Sequence, residues 1–379
     1  ETQPTYSHPN SVGIMALPSR QSARGVMMNR CFAIFLALLC LGVSFTTQAE
    51  DPAVTYTLGA LEAQPGTTVS GYLEVPAGVN AATRIPVSII HGVHPGPTLA
   101  LIAGTHGYEY PPITALQRLR KELDPETLSG TVILIHVANP PSFLGRTIYT
   151  SPVDGKNLNR VYPGKTDGTV SERIAHVITT QVIERADYLV DMHGGDGNEI
   201  LRPYIYMPVT GDAELDAKIK GMALAFGLDH IVIDPGRLAD PAASVFTDMT
   251  GLTRGVAAIT TETGQMGSND DYWVDMAQDG VMNLLRHLKM IDEDEIPNTG
   301  VVWLEDYQVI RASSTGVFHA SVRDGYMVAE GTLLGVLMNL FGEPVMEIRA
   351  PFAGVVNYVV GTPPVSEGEP LAMISRVAK

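Results

Sequence analysis

The sequence predicts an α/β domain followed by an all-β module, and three observations support that reading. From residue 85 onward, apolar runs alternate with amphipathic stretches, the pattern of strands and helices taking turns around a largely parallel sheet. After Ile291 the pattern changes to short alternating runs broken by glycine. The chain has 379 residues, 45% of them hydrophobic, enough for two domains at roughly 150 residues each and for a sizeable core. Disorder of the whole chain is excluded, because disordered chains are poor in apolar residues.

In chain order, residues 85–90 and 98–103 read as strands and 113–123 as a helix. Residues 131–137 (TVILIHV) form a buried strand, and 138–168 a long loop rich in Pro, Gly and Asn. Thr169 and Glu172 have capping-box spacing and open a helix that reaches about Arg185. Residues 188–191, 230–234 and 256–262 read as strands; 213–226 and 275–290 read as helices. Residues 292–300 form a linker, followed by strands at 317–320, 333–338, 345–350, 355–360 and 371–374. The expected divisions are a leader at 1–49, a catalytic domain at 50–296 and a β-rich module at 297–379.

Lys and Arg number 25 against 41 Asp and Glu, for a net charge of −16. That balance excludes nucleic acid as a partner, since phosphate binding needs a basic face. Both cysteines, Cys31 and Cys40, lie in the apolar run 31–45, with Arg30 before it and Thr47-Gln48-Ala49 after it. A charged start, an apolar middle and a small-residue cleavage site make a secretory signal at about 28–49. The run is too short to span a bilayer, which takes about 20 residues. Leu39 stands where a lipoprotein box wants a small residue, so no lipid anchor is expected. Met28 is the expected start of translation. Cleavage after Ala49 removes three Arg and one acid from the count and leaves a chain with a net charge of −18 and no cysteine. The mature protein is therefore expected to be exported, periplasmic and without a membrane span, and any metal site must use His and carboxylates.

Three apolar runs end on polar clusters: GTHGYE after 98–103, DMHGG at 191–195 and TTETG at 260–264. In open parallel sheets ligands bind beyond the carboxyl ends of the strands, so parallel neighbours would bring the clusters to one edge. His106 and Glu109, three apart, can reach one ion from a turn, with His193 as the distant third ligand; two His and one Glu are a catalytic zinc set that leaves a position for water. Asp191 could orient a ligand. Glu262 ends an apolar strand, where a carboxylate is costly unless employed, and suits a general base. A long loop inside a compact domain is often functional. This one carries Asn159 and Arg160, whose planar fork suits a carboxylate, with Arg146 as a second substrate-binding candidate.

The motifs GTHGYEY, DGKNLNRVYPG, DMHGG and TETGQ, in that order, resemble the succinylglutamate desuccinylase/aspartoacylase family, a branch of the zinc carboxypeptidase-like hydrolases. The resemblance covers roughly residues 55–377. NLNRVYPG followed by TDGTVSERIAH is most similar to the bacterial N-acyl amino acid deacylase subgroup that includes N-acetyl-diaminobutyrate deacetylases. The resemblance implies a three-layer α/β/α domain with a mixed, largely parallel sheet and a C-terminal barrel-sandwich module. It also implies one zinc per chain held by His106, Glu109 and His193, Glu262 as the catalytic glutamate, and Asn159 and Arg160 as the substrate-carboxylate pair; Arg160 could instead polarise the scissile carbonyl. The family usually has Asp before the ligand Glu, where this chain has Tyr108, and its familiar members act in the cytoplasm, where this chain is read as exported. The module is similar to lipoyl and biotinyl domains, with 346–351 as their hairpin. No Lys stands at its turn, so a structural role, roofing the site, is expected of it.

The expected function is zinc-dependent hydrolysis of an amide in an N-acyl amino acid or related small anionic substrate. The alternatives are an exported carboxypeptidase acting on peptides or cell-wall peptide, and a non-catalytic binding protein on the same fold. A homo-oligomer is compatible with the resemblance.

Overall fold

Four strands form the heart of the main sheet: Ser129–Ile135, His94–Ala103, Tyr188–His193 and Ala257–Glu262, side by side and parallel. Their middles, including Leu101, Ile133, Leu134, Val190 and Ile259, are fully buried, as expected of parallel strands covered on both faces, which read as unbroken apolar runs. The structure, a computed structural model, describes residues 54–235 and 240–379. The signal expected at 28–49 lies outside the described residues. Among the described residues, no helix is long and apolar enough to cross a membrane.

The sheet is mixed. Thr83–His91 pairs antiparallel with Ser129–Ile135, and Thr67–Val75 pairs antiparallel with Thr83–His91 along its whole length. On the other side, Tyr204–Pro208 enters antiparallel to Ala257–Glu262 and parallel to His230–Asp234. Tyr204–Pro208 and Thr67–Val75 were not expected. The first is short and ends on Pro208; the second is an alternating edge strand whose outward residues are polar.

Helices Tyr110–Glu122, Ala213–Phe226 and Asp271–His287 pack on one another. Val170–Gln181 and Thr247–Leu252 form a separate group around the short helix Ile183–Arg185. With the sheet between the two groups, this is a three-layer α/β/α arrangement. The long loop is tied down by specific bonds. Asp154 accepts from the Ser171 N–H at 3.0 Å, Lys156 pairs with Glu172 at 3.0 Å, and Glu172 accepts from the Thr169 N–H at 2.9 Å. That last contact realises the capping-box spacing.

The main sheet runs on into the C-terminal strands. Val302–Arg311 pairs parallel with His230–Asp234 and antiparallel with Pro370–Val377, which continues to Gly354–Val360. A second antiparallel sheet, Pro344–Arg349, Leu333–Met338, Gly316–Ala320 and Pro364–Val365, shares with it a core that includes Phe318, Leu334, Leu337, Val356, Val359 and Leu371. The β-rich C-terminal module expected here is present. The described residues make facing antiparallel sheets and no closed barrel, because Val302–Arg311 and Pro370–Val377 are hydrogen-bonded into the main sheet instead of closing on the module.

Candidate metal centre and active site

Strand register sets the site. Glu262, the last residue of its strand, is the parallel partner of His193, and on the other side Ala103 is the partner of Met192. The turn after Ala103 therefore emerges beside His193. Gly104 makes that turn with φ +72°, and a Cβ on Gly107 would lie 2.4 Å from the Ser142 carbonyl oxygen; both positions need glycine for the chain to bring His106 inward. Glu109 is the N-cap of Tyr110–Glu122, where the helix dipole favours a carboxylate.

His106 Nδ1 lies 2.6 Å from Glu109 Oε1, and His193 Nδ1 lies 2.8 Å from Glu109 Oε2. The ligand atoms of the three residues lie within 4.8 Å of one another, and all three are buried. The outer nitrogens also face oxygen: His106 Nε2 is 3.1 Å from Asn157 Oδ1, and His193 Nε2 is 3.0 Å from Asp191 Oδ2. A neutral imidazole has one N–H, so each ring can satisfy only one of its two oxygen contacts. A positive charge, a proton or a metal ion, belongs between the Nδ1 atoms and Glu109. Two imidazoles and a carboxylate fit a metal ion there, with Asn157 and Asp191 fixing the ring orientations from behind.

Charge follows the same geometry. Burial alone would raise the Glu109 carboxyl, but the charges of His106 and His193 and their hydrogen bonds outweigh it and hold it at about 2. Glu262 is pushed well up by burial, with the negative charges of Glu109, Glu199 and Asp191 adding and His193 opposing. A divalent ion at the cluster would offset this crowding.

The residues border a cavity of about 530 Å³, whose walls include His106, Glu109, Asn159, Arg160, His193 and Glu262. Arg160 is exposed, with its guanidinium 4.8 Å from the Phe246 ring centre and its Nη1 donating to the Asn159 carbonyl at 2.6 Å. Asn159 braces the site as well as lining it: Nδ2 donates to Asp191 at 3.2 Å, and Oδ1 accepts from the Thr247 N–H at 2.8 Å. Arg146 is not brought to the cavity wall. It is exposed, with φ 51°, at the end of the short helix Pro140–Gly145. The Tyr108 ring packs into space left by two glycines; a Cβ on Gly197 or Gly267 would lie 3.0 or 2.8 Å from it. A carboxylate still acts on His106, namely buried Asp196, which accepts from the backbone N–H groups of Tyr149 and Gly197.

Sequence reasoning missed several residues of the cavity wall. Glu199, raised to about 7 chiefly by burial, lies 2.9 Å from the Tyr149 hydroxyl. Tyr307, Val309 and Arg311 come from Val302–Arg311, and Tyr358 from Gly354–Val360. The alternate positions 307, 309 and 311 were the available signal, since alternate residues of a strand share a face.

An α/β fold with a buried His-Glu-His cluster at the carboxyl ends of its strands, a neighbouring carboxyl and an arginine-bordered cavity defines a metallohydrolase-like class of site. The family model for the succinylglutamate desuccinylase/aspartoacylase catalytic domain matches residues 95–288, just over half of the chain. The chain belongs to the succinylglutamate desuccinylase/aspartoacylase family, a family of deacylases. It is 29% identical over 320 residues to the N-alpha-acetyl-L-2,4-diaminobutyric acid deacetylase of Halomonas elongata, covering 82% of this chain and 92% of that one. The structure is similar to that of a succinylglutamate desuccinylase/aspartoacylase from Rhodobacter sphaeroides, with a TM-score of 0.74, 26% identity, and coverage of 83% of this chain and 97% of that one. It is likewise similar to the product-bound ectoine utilization protein EutE (DoeB) from Ruegeria pomeroyi, with a TM-score of 0.74, 27% identity, and coverage of 86% and 99%.

Proposed function

We propose that the protein is a zinc-dependent hydrolase that cleaves the amide bond of an N-acyl amino acid, releasing a carboxylate and an amino acid. The observation that carries this reading is the convergence of His106 Nδ1 and His193 Nδ1 on the two oxygens of Glu109, with Glu262 in register beside His193. Zinc suits two imidazoles and one carboxylate, and when bound it lowers the pKa of a water toward about 7 and polarises a carbonyl. Glu262, its proton affinity raised by burial and nearby negative charge, takes a proton from the attacking water and hands it to the leaving nitrogen. Asp191 and Asn157 keep the imidazoles oriented, and Asn159 keeps Asp191 in place. Arg160 presents its fork to the substrate's carboxylate. The relative from Halomonas elongata is named for an N-acetylated amino acid, which supports that substrate class.

A panel of N-acyl amino acids and short peptides, assayed with zinc-loaded protein, tests the reading. Turnover of the N-acyl amino acids is expected, and turnover of peptides alone would sink the deacylase assignment. Export belongs to the same proposal, motivated by the apolar run 31–45 and the small residue Ala49. Protein recovered from outside the cytoplasm should begin at Glu50; an intact leader on that protein would contradict export by cleavage.

A further inference from the structure

The strand Pro344–Arg349 ends the second sheet of the C-terminal module. It pairs with Leu333–Met338 on one side, and among the described residues no strand pairs with its other side. An open edge of this kind invites pairing with another chain. Side chains do little to shield it. Val345, Met346, Glu347 and Arg349 are all exposed, and the hairpin tip before the strand carries Leu340 and Phe341, the latter 90% exposed. Pro344, a residue type that blunts an edge, stands only at the start of the strand.

The backbone decides which bonds the open edge can offer. Ala350, just after the strand, gives its N–H to the Thr332 carbonyl and accepts the Gly331 N–H, so both its polar groups are turned toward the neighbouring strand. Alternation along an antiparallel strand turns Ile348 the same way and turns Glu347 and Arg349 outward. The side chains alternate as well. Ile348 is buried in the core of the module. Glu347 and Arg349 share the exposed face, where the guanidinium pairs with the Glu347 carboxylate and donates from Nη1 to the Gly331 carbonyl at 2.8 Å. Two residues of opposite charge, both with outward N–H and C=O groups, therefore flank Ile348.

We propose that this edge is a self-association surface, on which a second copy of the chain pairs its own Pro344–Arg349 antiparallel about a two-fold axis at Ile348. The residues themselves fix the axis. Centred there, Glu347 of each copy comes opposite Arg349 of the other, and the outward groups of each such pair exchange two backbone hydrogen bonds. The two-fold makes the pair twice, for four backbone bonds and two cross-strand ion pairs. An axis at Glu347 or at Arg349 would set like charges opposite each other. The occupant is a copy of this chain because the charge pattern of the strand is complementary to itself read in the opposite direction. The same pairing runs the exposed tip, Leu340 and Phe341, alongside the second copy beyond its Ala350. None of these residues borders the active-site cavity, so the inference goes beyond the hydrolase reading and does not depend on it.

Sedimentation of the full chain over a range of concentrations tests the proposal. Wild type should dimerise reversibly. E347R sets Arg opposite Arg in both pairs and should raise the dimer dissociation constant about tenfold or more, as two cross-strand contacts turn from attraction to repulsion. E347R/R349E restores opposite charges in the same register and should recover the dimer. Both variants should unfold thermally near the wild-type midpoint at concentrations where wild type is monomeric, which identifies folded chains. Amide hydrogen exchange supplies a reading without mutation: the Glu347 and Arg349 N–H groups should exchange more slowly in the dimer than in dilute monomer. A wild type that stays monomeric up to its highest soluble concentration overturns the inference. So does a dimer indifferent to E347R, one that E347R/R349E fails to recover, or one in which exchange at Glu347 and Arg349 is unaltered.

Discussion

His106 and His193 each face oxygen at both ring nitrogens, and at the scale of single residues that geometry organises the site. The inner nitrogens meet Glu109, and the outer ones are held by Asn157 and Asp191. Removing the Asp191 charge as Asp191→Asn should weaken metal affinity by about 10- to 100-fold, the usual effect of losing an outer partner of a ligating imidazole; competition with a chromophoric chelator measures it, and unchanged affinity would count against the assigned geometry. Glu262→Gln should cut kcat by about 10²- to 10⁴-fold while leaving metal content intact, since Glu262 is not one of the three clustered ligand residues. Parallel loss of metal and activity would instead make Glu262 a ligand. His106, Glu109, His193 and Glu262 were legible in the sequence because each sits in or just after a strand end, where register and turn chemistry are local. Arg311 and Tyr358 were not, because their approach to the cavity depends on pairing between strands far apart in the chain. Arg146 was an attractive cation in a functional loop, but the left-handed turn that carries it leaves it off the cavity wall.

Among the elements, the helix Val170–Gln181 shows how a local signal becomes part of the site. Its capping-box residue Glu172 accepts from the N–H of the N-cap Thr169 and pairs with Lys156 of the long loop, and the same loop delivers Asn157, Asn159 and Arg160. The Thr169 backbone bond, followed by Lys156, holds the Glu172 carboxyl at about 2, against an ordinary value near 4.3 in the unfolded chain. A carboxyl with a depressed folded pKa contributes stability that is complete above its unfolded pKa and is lost as pH falls through the folded one. Glu172→Gln should therefore cost about 1–2 kcal/mol near neutral pH, after allowance for solvent screening, and that difference from wild type should vanish between about pH 4.3 and 2. Denaturant unfolding across that window reads it, and a penalty independent of pH would show that the charge is not what matters. The capping spacing was visible in sequence, whereas the strand Val302–Arg311 was not. It carries Glu305 and Asp306 in its middle and a register shift between Glu305 and Gln308, so its apolar periodicity is broken where the bulge turns the strand.

At the scale of the whole molecule, one sheet joins the strands that carry the metal cluster to the C-terminal strands that close the cavity. Composition and alternation distinguished an α/β part from a β-rich part, but sequence periodicity cannot say that Val302–Arg311 pairs with His230–Asp234, a contact between segments far apart in the chain. A chain ending at residue 296 would expose the edge of His230–Asp234 and uncover Leu201, Tyr204 and Val232, which pack with Leu304, Val355, Tyr358 and Met373. It should be insoluble or should unfold without a cooperative transition; a soluble truncated protein with wild-type thermal unfolding would refute that coupling. The most direct test of the proposed zinc-dependent deacylase is a titration of activity. Chelator-treated protein is given zinc in steps, and hydrolysis of an N-acyl amino acid is followed at each step. The rate should be negligible without metal and should rise to a plateau at one zinc per chain; a rate indifferent to chelation, or no hydrolysis at any zinc content, would contradict it.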